Sequence, residues 1–302
     1  MVRAPGTDVD VTADASFGVS SMTGQLEKVA MRRPGAILTA DHRRWHYASP
    51  IEPEALVEQY DTFVRLIEAD GAEIHWLPDD DGDDLADSIF TFDPSFMTPA
   101  GAVILRPGKD LRKPEAELHA RFYGDRIPVV GTIEAPGMVE GGDCFWLDRS
   151  TLAAGRGFRT NEAGIEQLRL IVGRQGITVE AFDLPYLDGP DACLHLLSVV
   201  SPLSDDLALV YAPLLPVALY QRMEAMGYEL LHAPEDEFQA SIGLNLNVLA
   251  TSPRRCIAVD GFPQTVALMR AAGCSVTVFQ ADKLCIPCEG GPTCLTRPLH
   301  RR

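Results

Sequence analysis

Hydrophobic positions along the chain follow two rhythms. Spaced by three and four residues they mark amphipathic helices, and gathered into short runs they mark buried strands. Five times a helical stretch ends at a glycine and passes straight into a short apolar run. The first is LVEQYDTFVRLIEADGAEIHWLP, with helix about 55–69, Gly71 and strand 73–77. The others break at Gly124 before strand 127–131, Gly176 before 177–181, Gly227 before 228–232, and Gly273 before 275–279. A glycine at each break suits a helix end that needs positive φ. The strand starts lie roughly fifty residues apart, which marks an array of one repeated unit.

What precedes each helix repeats too. Two short apolar runs flank a turn in FMTPAGAVILRPG (96–108), CFWLDRSTLAAG (144–155), LHLLSVVSPLSDDLALVYAP (194–213) and NVLATSPRRCIAVDG (247–261). In the first unit RRPGAILT (32–39) supplies one strand only. Each unit therefore reads β-β-α-β, and such a unit cannot bury both its faces alone. The predicted fold is α/β: five ββαβ units around a pseudo-fivefold axis, strands inside and helices outside. No Ser/Gly-rich linker divides the chain, so a single domain is expected over residues 26–302, after a polar, poorly ordered lead-in over 1–25. An ordinary open α/β sheet would need one strand per helix, and here strands outnumber helices.

Composition narrows the function. Of the 302 residues, 46% are hydrophobic and 23% charged, as in a globular protein that buries a core. No apolar run reaches the length of a membrane span. The net charge of −17 has the wrong sign for a nucleic-acid binder and suits solubility, with a weak leaning toward cationic ligands. The lead-in lacks the apolar stretch of a secretory signal. Seven cysteines (144, 193, 256, 274, 285, 288 and 294) at irregular spacing read as reduced thiols in a cytoplasmic protein, not a disulfide framework.

The reactive side chains cluster by one rule. The loop after each unit's last strand holds the same place in the repeat, so in a closed array these loops converge at one end. PDDDGDDLADSIFTFDPS carries Asp87 and Asp93, TIEAPGMVEGGD carries Glu140 and Asp143, and DLPYLDGPDACLH leads to His195. PEDEFQASIGLNLN has Asn245 and Asn247 as its polar candidates, and ADKLCIPCEGGPTC leads to Cys294. A thiol beside an imidazole makes a nucleophile and a proton carrier. Glu140 could hold the imidazole in one tautomer, and Asp87 and Asp93 remain to bind a cation. A planar guanidinium pairs well with carboxylates, so the expected chemistry is thiol attack on a guanidinium carbon. Sulfur, imidazole and carboxylates cover every step, so no cofactor and no metal are expected.

These residues resemble those of the guanidino-group-modifying enzymes, the pentein superfamily, whose fold is a five-bladed β/α propeller. The resemblance runs from about Met31 to the end, through RRPG (32–35), DSIFTFDP (87–94), ILRPG (104–108), EGGD (140–143), RTN (159–161), His195 and GGPTC (290–294). Within the superfamily the chain is most similar to the dimethylarginine dimethylaminohydrolases. The resemblance implies that Cys294 attacks and carries an amidino adduct. His195 would protonate the leaving amine and then activate water, and Glu140 would orient His195. It further implies that Asp93 holds the guanidinium with Asp87 nearby, and that Arg106 and Arg159 receive the substrate's α-carboxylate. Two departures stand out: Phe92 occupies a position where those enzymes often carry Glu, and Leu197 replaces the second Asp of the deiminases' His-x-Asp.

Other readings compete. Cys285 and Cys288 form a C-x-x-C that could bind zinc or act in redox chemistry, but no second ligand pair is present. Cys144, Cys193, Cys256 and Cys274 lie in apolar stretches and read as core packing. Arg106 and Arg159 could be surface ion pairs. The expected partner is a small cationic guanidino substrate, with no nucleic acid and no membrane, and a homo-dimer is open. The rival functions are an amidinotransferase, an arginine or agmatine deiminase-like enzyme, or a non-catalytic sensor of arginine-like ligands.

Overall fold

The glycine breaks do what the repeat requires. In a computed structural model that describes residues 16–79, 84–187, 189 and 194–302, Gly71, Gly124, Gly176, Gly227 and Gly273 all have positive φ. Each ends a helix and sends the chain into a strand. The first unit has β1 (Leu26–Met31), α1 (His42–Trp45), α2 (Pro53–Ala69) and β2 (Glu73–Trp76). The second has β3 (Ser95–Thr98), β4 (Gly101–Ile104), α3 (Glu115–Tyr123) and β5 (Val129–Thr132). The third has β6 (Cys144–Asp148), β7 (Thr151–Arg156), α4 (Glu162–Gly173) and β8 (Thr178–Asp183). The fourth has β9 (Val200–Ser204), β10 (Leu207–Val210), α5 (Val217–Ala225) and β11 (Glu229–His232). After α6 (Glu235–Ser241) come β12 (Leu249–Ser252), β13 (Arg255–Val259), α7 (Pro263–Ala271), β14 (Ser275–Phe279) and finally β15 (Arg297–Arg301).

These strands form five three-stranded sheets. In four of them a tight antiparallel pair is followed by a helical crossover to a parallel third strand, as in β6–β7–β8. The fifth is built from both ends of the chain: β15 pairs antiparallel with β1, and β1 pairs parallel with β2. Helix α2 packs on the strands by one face. Leu56, Tyr60, Phe63, Val64 and Ile67 fall on one face and are buried, while Glu54 and Glu68 are exposed. Its Phe63 stacks on Phe279 of β14.

Three expectations change. The first unit's strand is Leu26–Met31, and Ala36–Thr39 of RRPGAILT is a 3-10 turn, because the missing antiparallel partner comes from the C-terminal strand. The lead-in boundary also moves. Residues 1–15 lie outside the described residues, but Gly18 and Gln25 exchange backbone hydrogen bonds with Leu299, Arg301 and Arg302, which fasten residues 16–25 to β15. The loop PEDEFQASIGLNLN contains α6 and a 3-10 turn at Leu244–Leu246. Cys144, Cys256 and Cys274 are buried as expected, whereas Cys193 and most of the acidic run 79–84 lie outside the described residues. Among the described residues no helix is long and apolar enough to cross a membrane.

Candidate active site

Glu140 is wholly buried, and the segment RTN exists to hold it there. Arg159 donates to its carboxylate at 3.1 Å, Thr160 Oγ1 accepts the Glu140 N–H at 3.1 Å, and Asn161 Oδ1 accepts the Met138 N–H at 2.9 Å. Asn161 also caps α4 by accepting the Gly164 N–H. Backbone N–H groups of Gly108 and Lys109, from the RPG turn, complete the shell around Oε1. The other oxygen, Oε2, meets His195 Nε2 at 2.5 Å. Burial alone would push the Glu140 pKa up. The His195 hydrogen bond and the Arg159 charge outweigh it and hold the carboxyl well below the usual carboxylate range.

His195 opens the 3-10 turn Leu196–Ser198: its carbonyl accepts the Ser198 N–H at 3.0 Å, and its own N–H is accepted by Ser198 Oγ at 3.2 Å. An ionised Glu140 can only accept, so the ring proton sits on Nε2 and is donated to it. The ring lies against Gly142: a Cβ there would come within 2.4 Å of Nδ1, so any side chain would drive the imidazole away from Glu140. Asp143 fixes the turn from below, its Oδ1 accepting the Leu196 N–H at 2.9 Å. Burial raises the Asp143 pKa from 3.8 to about 6. A raised pKa means that the acid form favours the folded state. This contribution is present below pH 3.8 and is lost as pH rises through about 6. Asp143→Asn should remove up to about 3 kcal/mol of that pH dependence. Urea unfolding of both proteins at pH 4 and pH 6.5 measures it, and equal slopes would contradict the assignment.

Cys294 lies half-buried behind the Gly-Gly turn. Asn247 Nδ2 donates to its sulfur at 3.0 Å, and Asn247 Oδ1 accepts the Thr293 N–H at 2.9 Å, so one amide fixes both the thiol and its loop. Gly291 makes room: a Cβ there would meet the Asn247 side chain at 2.6 Å. The Cys294 pKa is raised by burial and then by the negative charge of Asp93, against the opposing pull of Asn247, the Gly291 N–H and His195. In the resting protein the sulfur is a thiol, and a cation placed between Asp93 and Cys294 would favour the thiolate.

Asp87 and Asp93 both line an outer cavity of about 440 Å³ that also exposes His195 and Cys294. Both acids are already braced. Asp93 accepts from Arg112 Nη1 at 2.5 Å and from the Gly142 N–H at 2.8 Å. Asp87 accepts from Tyr47 Oη at 2.7 Å and from Lys109 Nζ at 2.6 Å. Arg112 is buried and also donates to Glu115 through Nε and Nη2. Burial raises Glu115 to about 7 despite this partner. Sequence reasoning missed Arg112, Glu115 and Lys109. An Arg-x-x-Glu spacing at the start of α3 was the available signal.

The structure thus brings together Cys294, His195, Glu140, Asp93, Asp87 and Arg159. It does not bring Arg106 to the cavity. Its backbone pairs with Val139, and its side chain donates to the Gly137 carbonyl at 3.1 Å, which turns it away. Of the two asparagines, Asn247 reaches the thiol, while Asn245 is tied to Ser241 and Thr265. Cys288 lines the outer cavity and Cys285 is buried. Ligand atoms of Asp93, Glu140 and His195 lie within 4.8 Å of one another. Their oxygens already accept from N–H donors, two of them guanidinium groups, so this donor set is arranged around positive charge of the chain itself.

Comparison with known proteins identifies relatives of the whole fold. The family described as N,N dimethylarginine dimethylhydrolase, eukaryotic, matches residues 40–260. An N(G),N(G)-dimethylarginine dimethylaminohydrolase of Streptomyces coelicolor is 29% identical over 274 residues, covering 89% of this chain and 96% of its own. That of Pseudomonas aeruginosa is 26% identical, covering 90% and 98%. The solved Pseudomonas enzyme, in a mutant form complexed with citrulline, superposes with a TM-score of 0.73 at 22% identity, covering 90% of this chain and 99% of the other. An amidinotransferase of Microseira wollei superposes with a TM-score of 0.74 at 16% identity, covering 95% and 97%. The solved structures share the fold, and the match over residues 40–260 decides the family: the chain belongs to the N,N-dimethylarginine dimethylhydrolases.

Proposed function

We propose that this protein is a cysteine-dependent hydrolase that converts a methylated arginine-type guanidine to a citrulline-type ureido product and an amine. One observation carries this reading: the Cys294 thiol and a Glu140-braced His195 open onto the same cavity as Asp87 and Asp93. We read the five three-stranded sheets as blades of a propeller about a pseudo-fivefold axis, the loops at one end forming this cavity.

The guanidinium binds beside Asp93 and Cys294 and favours the thiolate, and the thiol proton passes to His195. Glu140 holds Nε2, so the proton-exchanging nitrogen is Nδ1. Sulfur bonds to the guanidinium carbon. His195 returns the proton to the substituted nitrogen, the C–N bond breaks, and dimethylamine leaves. The amidino group then stays on sulfur as a cation facing Asp93. Water adds to its carbon with His195 taking a proton, the C–S bond breaks, and the ureido product departs. His195 reprotonates the sulfur, and the proton left on the ureido oxygen passes to water, where the released amine takes it up. Arg159 and Lys109, both on the cavity wall, supply positive charge for a carboxylate tail.

A panel of dimethylarginine, monomethylarginine, arginine, agmatine and simple guanidines, scored for ureido product and released amine, tests the reading. Dimethylarginine should give both products in equal amounts. Transfer of the amidino group to an added amine, or silence on every guanidine, would replace the hydrolase by its rivals. Within this scheme Asp143 acts through the turn that carries His195. Asp143→Ala should lower kcat about tenfold with KM little changed, the loss of one buried charged hydrogen bond. Asp143→Asn should restore it, because its amide oxygen still accepts the Leu196 N–H. A KM effect, or no rescue, would contradict a positioning role.

A further inference from the structure

Behind the catalytic residues lies a second, narrower cavity of about 70 Å³. It reaches from the inner side of Cys294 and His195 to the C-terminal strand, and it has room for several water-sized groups. Its walls are largely apolar, yet Arg297 and Arg301 both stand in them. Arg297 is 2% exposed. Its Nη2 donates to the Phe92 carbonyl at 2.5 Å, and its guanidinium lies 3.8 Å from the centroid of the Phe92 ring. Its buried Nε has no hydrogen-bond partner. Arg301, 9% exposed, donates from Nη1 to the Gly24 carbonyl at 2.6 Å.

A guanidinium has five N–H donors, and among the described residues one on each side chain is used. No carboxylate of those residues forms an ion pair with either arginine. Phe92 gives Arg297 a ring face where the resemblance leads one to expect Glu. Glu289 borders the cavity, but at the end shared with the outer cavity, and burial favours its acid form. Asp93 is committed to Arg112 and Gly142. Burial bears against both cations. It pulls Arg297 down to about 10 and Arg301 to about 9, and repulsion from Arg297 adds to the second. The charge of Asp93 reaches Arg297 but is shared with Arg112, and two buried cations without an ion-pair partner of their own are costly unless something supplies further negative charge.

We propose that the inner cavity is a binding site for a small monovalent inorganic anion of the halide class, seated on the unused N–H groups of Arg297, with Arg301 adding to the field. The volume of about 70 Å³ favours a small ion over a larger carboxylate. The apolar walls disfavour a divalent ion, whose desolvation they could not offset. The catalytic residues separate the cavity from the outer one, so the anion is not a substrate group. Its effect is structural: it joins β15 to the loop that carries Phe92 and Asp93.

The test uses the full chain at pH 7 and constant ionic strength, with sodium gluconate replaced stepwise by sodium chloride or bromide. Tm should rise with halide, by about 2–4 °C per tenfold increase above Kd. Arg297→Met should abolish the rise, and Arg301→Met should weaken halide binding severalfold. Because either variant could fold poorly, wild-type crystals grown in bromide provide the second measurement. A bromine anomalous peak against the Arg297 guanidinium supports the site. A halide-independent Tm, or peaks confined to the protein surface, overturns it.

Discussion

Replacing Cys294 by serine should leave a folded protein whose turnover is lower by about four orders of magnitude or more. The argument is chemical before it is structural. Sulfur is poised because burial and Asp93 keep it a thiol until a cation arrives. The arriving guanidinium then removes the cost of ionisation at the moment it is needed. A serine hydroxyl starts from a far higher pKa, and the same cation cannot ionise it to a useful extent. The fold should be indifferent, because Asn247 Nδ2 can donate to oxygen as it does to sulfur and Gly291 still leaves it room. Urea unfolding should therefore match the parent within about 1 kcal/mol. Acid-quenched mass spectrometry should show an amidino adduct on the parent and none on Cys294→Ser. Cys288→Ser should keep kcat within about tenfold, since Cys288 lines the outer cavity without the Asn247 contact. Cys285 is fully buried, so Cys285→Ala is the cleaner control. Equal loss in either control would return the C-x-x-C to contention as a zinc or redox motif.

The repeat is legible because it is local. A helix, a glycine and a strand follow one another within about twenty residues, and each glycine's positive φ is a local necessity. The first unit resists the same reading because its antiparallel strand lies at the other end of the chain, and no spacing rule links Leu26 to Arg301. The site divides in the same way. Cys294, His195, Glu140, Asp87 and Asp93 can be singled out because each falls at the same place in its unit, and topology alone then brings the loops together. What topology does not fix is the direction of a side chain. Arg106 follows the RPG pattern but is turned onto Gly137 by its pairing with Val139, while Lys109, three residues on, enters the cavity. Arg112 is half visible for a related reason. Its i,i+3 spacing to Glu115 can be read along the chain, but its contact with Asp93, nineteen residues away on another loop, has no one-dimensional trace. RTN is legible as a motif, but that all three residues serve Glu140 emerges only in three dimensions.

Loss of His195 should lower kcat by roughly 10²–10⁴-fold, the usual share of general acid–base catalysis, and the size of the defect should follow the leaving group. Attack of sulfur on the guanidinium carbon produces a tetrahedral centre bearing three nitrogens, and none can depart as an amide anion. A proton must be delivered, and His195 is held where it can deliver one. Glu140 takes Nε2 and keeps the ring upright, Gly142 gives the ring a flat backbone to lie on, and Nδ1 is left to exchange the proton. The Glu140 carboxylate, pinned by Arg159 and two backbone N–H groups, stays ionised and stabilises the imidazolium that forms between proton transfers. In His195→Ala the first step on an amine-leaving substrate stalls. An S-alkyl isothiourea analogue carries a thiolate leaving group that departs without a proton, so its first step should lose only the help of His195 in taking the thiol proton, a smaller defect than on the amine-leaving substrate. The adduct should then accumulate on Cys294, because activation of water also needs the lost base. Pre-steady-state mass spectrometry on the two substrates reads both effects, and a chelator arm asks whether any step depends on a metal. Equal defects on both substrates, near-parental turnover in the variant, or loss of parental activity on chelation would each show that the proton does not travel through His195 as argued.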